Sequence, residues 1–406
     1  MLKPLILFCV SKPNAYSYAK LLSVIEHTPE IMDLYDIKTV RSLPYELTIA
    51  ALRRFDINKR PFILLPISLM TAQRADFVQF ITHKLPHLKK FSENIKIIVG
   101  GWHVTGALHD VIDLGVDHII TGEAEGILPQ FLINLYDNPQ AAPKVLTALD
   151  PTDLDIYPPF SEKFRIFCPI EISRGCPFRC KFCQTGGRIM RHASMDSIVK
   201  WIEHAVKIRY KRVWFTTPNA FSYGTPRGTG TSPLIVEKLL RSIKKIPKLE
   251  EIYFGSFPSE VRPEFVTSEM MDATYPYINN KFFTIGAQSA SDELLKRIWR
   301  GHTFQNVLDA IDRILDYGFG VDVDFIFGLP EETENDIDIT IDFFKEVLHS
   351  TKRIRIHTHA FMPLPGTPYE HEAVGVIRPE IEKFLGLLAS RNKSFGSHKR
   401  QARIFI

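Results

Sequence analysis

Short apolar runs alternate with amphipathic stretches through the first 140 residues. PLILFCV, PFILLPISL, IKIIVGG and DHIITG are compact apolar runs, the pattern of strands buried on both faces. Between them, ADFVQFITHKL and ILPQFLINLY repeat apolar positions at helical spacing. Alternation of strand and helix predicts an open parallel sheet over residues 1–140. Gly100 and Gly101 follow IKIIV directly, and GEAEG (Gly122 to Gly126) follows the next strand and opens a helix. Ligands of such sheets sit beyond the carboxyl ends of the strands.

Residues 141–165 carry AAPK and DPTDLDIYPPF, whose prolines and polar residues predict a surface linker. A second series begins at Pro169. Strands are expected at PIEISR, RVWFTT, EIYFGSF, FFTIGAQ, VDVDFIFG and RIRIHTHAF. Helices are expected at SIVKWIEHAVKI, PLIVEKLLRSI, SDELLKRIW, FQNVLDAIDRILDYG and DIDITIDFFKEVL. Six strands with intervening helices predict a partial (β/α)6 barrel over 166–370. Residues 371–406 form a helical extension with a basic tail. From Arg391 to Ile406 the tail holds Arg391, Lys393, Lys399, Arg400 and Arg403 and no acid. The tail reads as a solvated terminus; contact with an anionic substrate or RNA is the alternative.

The chain's 406 residues suit two to three domains. Its net charge of +4 is too small to make nucleic acid an obligate partner. No apolar run approaches the roughly 18 residues of a membrane span. The opening MLKPLILFCV reads as a buried strand, not a secretion signal. A reducing, cytoplasmic setting is expected, with no membrane partner.

Chemistry enters at ISRGCPFRCKFCQT, where Cys176, Cys180 and Cys183 are spaced by three and then two residues. A zinc site normally closes with four Cys or His ligands, and His192 is the only histidine near. A disulfide reading fits poorly with 5 cysteines in the whole chain. A four-iron, four-sulfur cluster is usually held by four thiolates. Three would leave one iron open to a small molecule. Gly175 allows close backbone approach, Pro177 stiffens the loop, and Phe182 is placed to shield a cluster or pack on a purine. Cys168, eight residues before Cys176, reads as a small buried hydrophobe, with a reactive thiol near the site as the alternative. Cys9 reads as core.

The loop follows the first strand of the second series, the carboxyl-end position where barrels place chemistry. CxxxCxxC with an aromatic before the last cysteine resembles the signature of the radical S-adenosylmethionine (SAM) enzymes. GAQSASDELLKRIWRGHTFQNVLDAI resembles the segment around their fourth strand, DFIFGLPEET the fifth and HAFMPLPGTPYE the sixth. ISLMT, IIVGGWHVTG and ITGEAEGILP resemble the cobalamin-binding domain of one large branch. The whole chain therefore resembles a Rossmann-like cobalamin-type domain followed by a radical SAM partial barrel. The cobalt-ligating DxHxxG motif is absent, and the Ser-x-Leu element stands only as Ser68, Leu69, Met70.

The resemblance implies a 4Fe-4S cluster on Cys176, Cys180 and Cys183, whose open iron chelates SAM. One-electron cleavage then gives methionine and a 5′-deoxyadenosyl radical. For SAM it implies contacts from Phe182, Thr216, Thr217 and Asn219 (the TTPNA turn), Arg262, Gln288, Ser289, Arg300 and Phe327. Each arginine has a surface ion pair as its plain alternative. For cobalamin it implies Tyr16, Ser17, Ser68, Met70, Gly100, Gly101, Gly122 and Glu123; otherwise the domain only caps the barrel. No catalytic residue beyond these is assigned.

The expected function is radical methyl transfer to an unactivated carbon of an organic substrate. An electron donor such as a flavodoxin or ferredoxin would be the partner. Three readings compete. One is cobalamin-linked rearrangement or cyclisation. Another is an RNA-modifying enzyme, disfavoured because methylthiotransferases carry further N-terminal cysteines and this chain has only Cys9 there. The last is a non-enzymatic SAM- or cobalamin-responsive protein.

Overall fold

The structure, a computed structural model, describes residues 2–396. Lys399, Arg400 and Arg403 of the basic tail lie outside the described residues. The chain divides into two compact units, one running to Cys168 with Leu364–Gly366, the other comprising Pro169–Pro363 and the chain from Thr367.

The first unit is a parallel sheet of β1 (Leu5–Cys9), β2 (Asp36–Val40), β3 (Ile63–Ser68), β4 (Ile95–Gly100), β5 (His118–Thr121) and β6 (Val145–Thr147). Their order is β2-β1-β3-β4-β5-β6. The four apolar runs became β1, β3, β4 and β5. β1 is buried at every position, and one apolar core packs on each face of the sheet. β2 and β6 have no such runs. β2 buries only Ile37, and β6 is a three-residue edge strand drawn from the 141–165 stretch. Beyond β6 the same stretch is tied to the helix Ala15–Glu26. Lys20 Nζ donates to Tyr157 O at 2.7 Å, and Ser161 Oγ donates to Glu26. The chain order reverses between β1 and β3, the switch point at which such sheets form a crevice.

The second unit holds β7 (Ile170–Glu171), β8 (Ser173–Arg174), β9 (Arg191–His192), β10 (Arg212–Thr216), β11 (Glu251–Tyr253), β12 (Phe282–Gln288), β13 (Gly320–Phe327), β14 (Ile354–Ala360) and β15 (Ser394–Gly396). The parallel groups β11-β10-β7 and β12-β13-β14-β15 are joined by a parallel bridge between Val261 and Ile285. The result is a partial barrel. PIEISR is split at Ile172 into β7 and β8, and β8 pairs antiparallel with β9. β15, inside the predicted helical extension, adds a strand beside β14 after the helix Pro379–Ser390.

Every expected helix of this series forms. Thr303 and Thr333 cap Phe304–Asp316 and Glu334–His349 through capping boxes. β13 shows how faces are assigned. Phe325 and Phe327 pack edge-on against Phe344 of Glu334–His349, so Asp322, Asp324 and Ile326 project from the opposite, interior face. Each fully buried aromatic of this kind contributes roughly 1.5–3 kcal/mol. Among the described residues, no helix is long and apolar enough to cross a membrane.

Candidate active site

The cysteine loop is set by its hinges. Gly175 has φ +87°, and a Cβ there would fall 2.3 Å from Ile189 O. Only glycine lets the chain leave β8 and return so closely. The return is sealed by Arg188 N donating to Cys176 O at 3.0 Å and Gly187 N to Phe178 O at 2.7 Å. Within the loop, Cys183 N donates to Cys180 O at 3.0 Å and Gly186 N to Cys183 O at 3.3 Å.

These bonds gather the three sulfurs. Cys180 is buried, and Cys176 and Cys183 are half-buried. Burial raises the Cys176 and Cys183 thiols, and negative charge on the neighbouring thiols raises them further. Such mutual influence requires the three to be neighbours. His192 is not available as a fourth ligand. Its Nδ1 is 2.8 Å from Ser173 Oγ and its Nε2 is 2.9 Å from Thr225 O. Cys9 and Cys168 are buried in the first unit, and desolvation pushes each up to about 12. The donor set suits a cluster held by three thiolates.

Both predicted arginines are buried, Arg262 at 4% and Arg300 at 9% exposure, which removes the surface ion-pair alternative. Arg300 Nη1 donates to Cys180 Sγ at 3.6 Å and Nη2 to Gly286 O at 2.6 Å, while Nε has no partner. Burial opposes its charge, yet Cys180, Glu264 and Glu260 hold it above its ordinary value. Arg262 donates to Arg300 O and to Glu264 Oε1, and its guanidinium lies 3.6 Å from the Phe178 ring centre. Burial and the adjacent Arg300 lower it. Arg262 thus holds the Arg300 backbone beside the cysteine loop, while the two charges repel.

Asn219 is buried and joined to this group. Its Oδ1 accepts from Arg262 N at 3.2 Å and its Nδ2 donates to Ser222 Oγ at 2.6 Å. Thr217 is buried and donates to Asn219 O, whereas Thr216 ends β10 half-buried. Gln288 sits at a bulge with φ +75° and, like Ser289, is buried. Ser289 Oγ accepts from Ser291 N. Phe182 and Ile326 each pack against the apolar cluster that contains Leu294, Leu295, Ile298, Leu329, Phe361 and Tyr369. Phe327 lies apart, in the aromatic cluster on the helix side of β13.

In the first unit, Ser68, Met70, Gly100, Gly101, Gly122 and Glu123 all fall at the carboxyl edge of the sheet. Tyr16 and Ser17 open the helix after β1. Tyr16 and Trp102 are large exposed aromatics there, at 46% and 41%. Gly101 and Gly122 also serve local packing, since a Cβ would meet Leu69 O at 2.8 Å and Ala148 O at 2.7 Å. Glu123 accepts from Thr152 N at 2.9 Å.

Residues 170–344 match the Radical SAM superfamily. That stretch, which holds the cysteine loop and most of the barrel strands, is of the radical SAM type. It is 24% identical over 321 residues to the threonylcarbamoyladenosine tRNA methylthiotransferase MtaB of Thermotoga maritima, covering 77% of this chain and 70% of that one. The fold resembles the cobalamin-dependent SAM radical enzyme OxsB at a TM-score of 0.64 and 16% identity, over 87% of this chain and 53% of OxsB. It also resembles the radical SAM methyltransferase TsrM of Kitasatospora setae at 0.63 and 15%, over 90% of this chain and 75% of TsrM. The chain thus spans only about half the length of OxsB. Within the matched stretch, Arg300 lies against Cys180 and Arg262 bonds the Arg300 carbonyl, so the cysteine loop and the two buried arginines are neighbours.

Glu260, Asp324, His357 and His359 line the interior, and Phe178 lies beneath Arg262; none of them is among the site residues expected from the sequence. Desolvation pushes Glu260 up to about 8, and the facing Asp324 carboxylate adds to the rise. The signal for three of them was alternation. In VDVDFIF and RIRIHTHA, polar residues recur every second position, which marks an interior face that is not apolar.

Proposed function

We propose that this radical SAM protein is a cobalamin-dependent enzyme that methylates an unactivated carbon of an organic substrate. The observation that carries the radical chemistry is the three-thiol loop with Arg300 bonded to Cys180 at the carboxyl end of the first barrel strand. Cys176, Cys180 and Cys183 would hold the cluster, which when bound supplies one electron to SAM so that a 5′-deoxyadenosyl radical can form.

The chain's own groups do the positioning. Arg262 and Arg300 supply the positive charge for the SAM carboxylate, Arg300 through the Nε that its other bonds leave open. Gln288 and Ser289 lie at the end of β12 for the ribose hydroxyls. Thr216 and Thr217 offer oxygens to the amino group, while Asn219 fixes the backbone of Arg262. Phe182 with Ile326 gives adenine an apolar wall; Phe327 serves the core behind it.

Cobalamin is supported by the sheet order, by the exposed Tyr16 and Trp102 at the carboxyl edge, and by the likeness of fold to OxsB and TsrM. Tyr16, Ser17, Ser68 and Met70 flank the switch point, with Gly100, Gly101, Gly122 and Glu123 beyond. When bound, cobalamin would supply the methyl group. A small one-electron carrier such as a flavodoxin or ferredoxin would be the reductant.

The test is anaerobic purification with cobalamin, followed by spectroscopy and product analysis under strong reductant. A cluster band near a corrinoid spectrum, 5′-deoxyadenosine, and S-adenosylhomocysteine once substrate is supplied support the proposal. Cluster and 5′-deoxyadenosine without any corrinoid would leave a radical SAM enzyme and remove the methyl-transfer reading.

A further inference from the structure

The interior face of β13 and β14 carries two polar layers of different character. Register sets Asp322 opposite Arg355 and Asp324 opposite His357. Arg355 closes on Asp322 through two bonds of 2.7 Å, so that layer is self-contained. The next layer sets two imidazoles beside the Asp324 carboxylate, which Glu260 also faces. His357 Nδ1 lies 2.7 Å from Asp324 Oδ1, and the His359 ring stands edge-on to His357 with centres 4.3 Å apart. One ligand atom from each of Asp324, His357 and His359 lies within 4.8 Å of the other two. Phe395 stacks on the His357 ring at 4.5 Å and 14°, which fixes the imidazole plane without consuming a ring nitrogen.

We propose that Asp324, His357 and His359 form a mononuclear site for a divalent first-row transition ion of the zinc type, distinct from the cysteine loop. Two imidazoles and one carboxylate are a donor set such ions prefer. Metal–ligand bonds of roughly 2.0–2.2 Å place donor atoms about 3–3.5 Å apart. Contraction from the observed spacing needs only side-chain rotation, because all three residues sit on two adjacent, hydrogen-bonded strands. Three protein ligands leave an open position. The ion would there receive a hydroxyl, amine or carboxylate of a molecule entering the barrel. The site does not depend on cobalamin or on methyl transfer.

The experiment uses the cluster-loaded protein, incubated anaerobically with zinc chloride, desalted and assayed for zinc and iron together. Wild type is expected to retain one zinc per chain beyond its cluster iron. His357→Ala, His359→Ala and Asp324→Asn are expected to bind zinc at least tenfold more weakly with unchanged iron. Cys176→Ala is expected to lose cluster iron and keep zinc. Wild type that retains no zinc, variants that bind it as wild type does, or zinc lost only with Cys176 would overturn the site. Zinc K-edge absorption on wild type gives a second reading that requires no variant to fold. Imidazole and oxygen scattering supports the proposal, and sulfur ligation rejects it.

Discussion

Single residues decide whether the cysteine loop can form. Gly175 is the sharpest case, because its positive φ and the 2.3 Å approach to Ile189 O both exclude a side chain. Gly175→Ala should cost about 1–2 kcal/mol from backbone conformation alone, with the clash added. The expected readout is a lowered melting temperature and reduced iron per chain after reconstitution. Arg300 offers a second test. A lysine cannot reach Cys180 Sγ and Gly286 O from one planar head. Arg300→Lys should lower 5′-deoxyadenosine formation by about tenfold or more, with iron content retained. Equal rates would show that the guanidinium has no role in positioning SAM. Gly175 and the three cysteines were legible from spacing alone. The bonds of Arg300 were not, since Cys180 and Arg300 are remote in sequence and meet only once the barrel closes.

At the scale of elements, the helix Glu334–His349 shows how local sequence and packing cooperate. Thr333 Oγ1 accepts from Asp336 N, and Asp336 accepts from Thr333 N at 2.8 Å. Asp336 also receives Ser291 Oγ and Arg297, so the cap anchors a neighbouring helix as well. Thr333→Ala should lower stability by about 1 kcal/mol, read as a shift in denaturant midpoint. Asp336→Ala should cost more, because three partners lose their acceptor. Strong periodicity made the barrel strands and helices legible. β2, β6 and β15 escaped because short edge strands bury one face or less and carry no apolar run. Which face of β13 meets the helix followed from the aromatics at alternate positions. That Asp324 then faces His357 and Glu260 depended on strand register and on the bridge between Val261 and Ile285.

For the molecule as a whole, buried charge ties stability to pH. His302 is buried beside Glu264, with Nδ1 3.4 Å from Oε2. Burial dominates and lowers His302 from its ordinary 6.5 to about 4. The unfolded chain therefore binds the proton more tightly. This contribution is complete above pH 6.5 and is lost as pH falls toward 4. It is on the order of 1–3 kcal/mol. Glu264, held at about 2 mainly by His302 and Arg262 against its burial, acts in the same direction at lower pH. Denaturation followed from pH 7 to 4 should show wild type losing stability, and His302→Asn should flatten that slope. A slope unchanged in the variant would assign the loss to other groups.

The sequence by itself determined the strand and helix series, the three-thiol loop and the superfamily, because each rests on short-range spacing. Period-two and helical patterns report burial locally, and thiolate spacing reports a ligand loop locally. Packing between distant segments settled that Arg262 and Arg300 are buried and that Arg262 bonds the Arg300 carbonyl, that Phe327 is core while Ile326 lines the interior, and that Asp324, His357 and His359 converge. Those facts depend on parallel strands brought into register across long connections. No local pattern encodes which residues from separate strands will share one face and one layer.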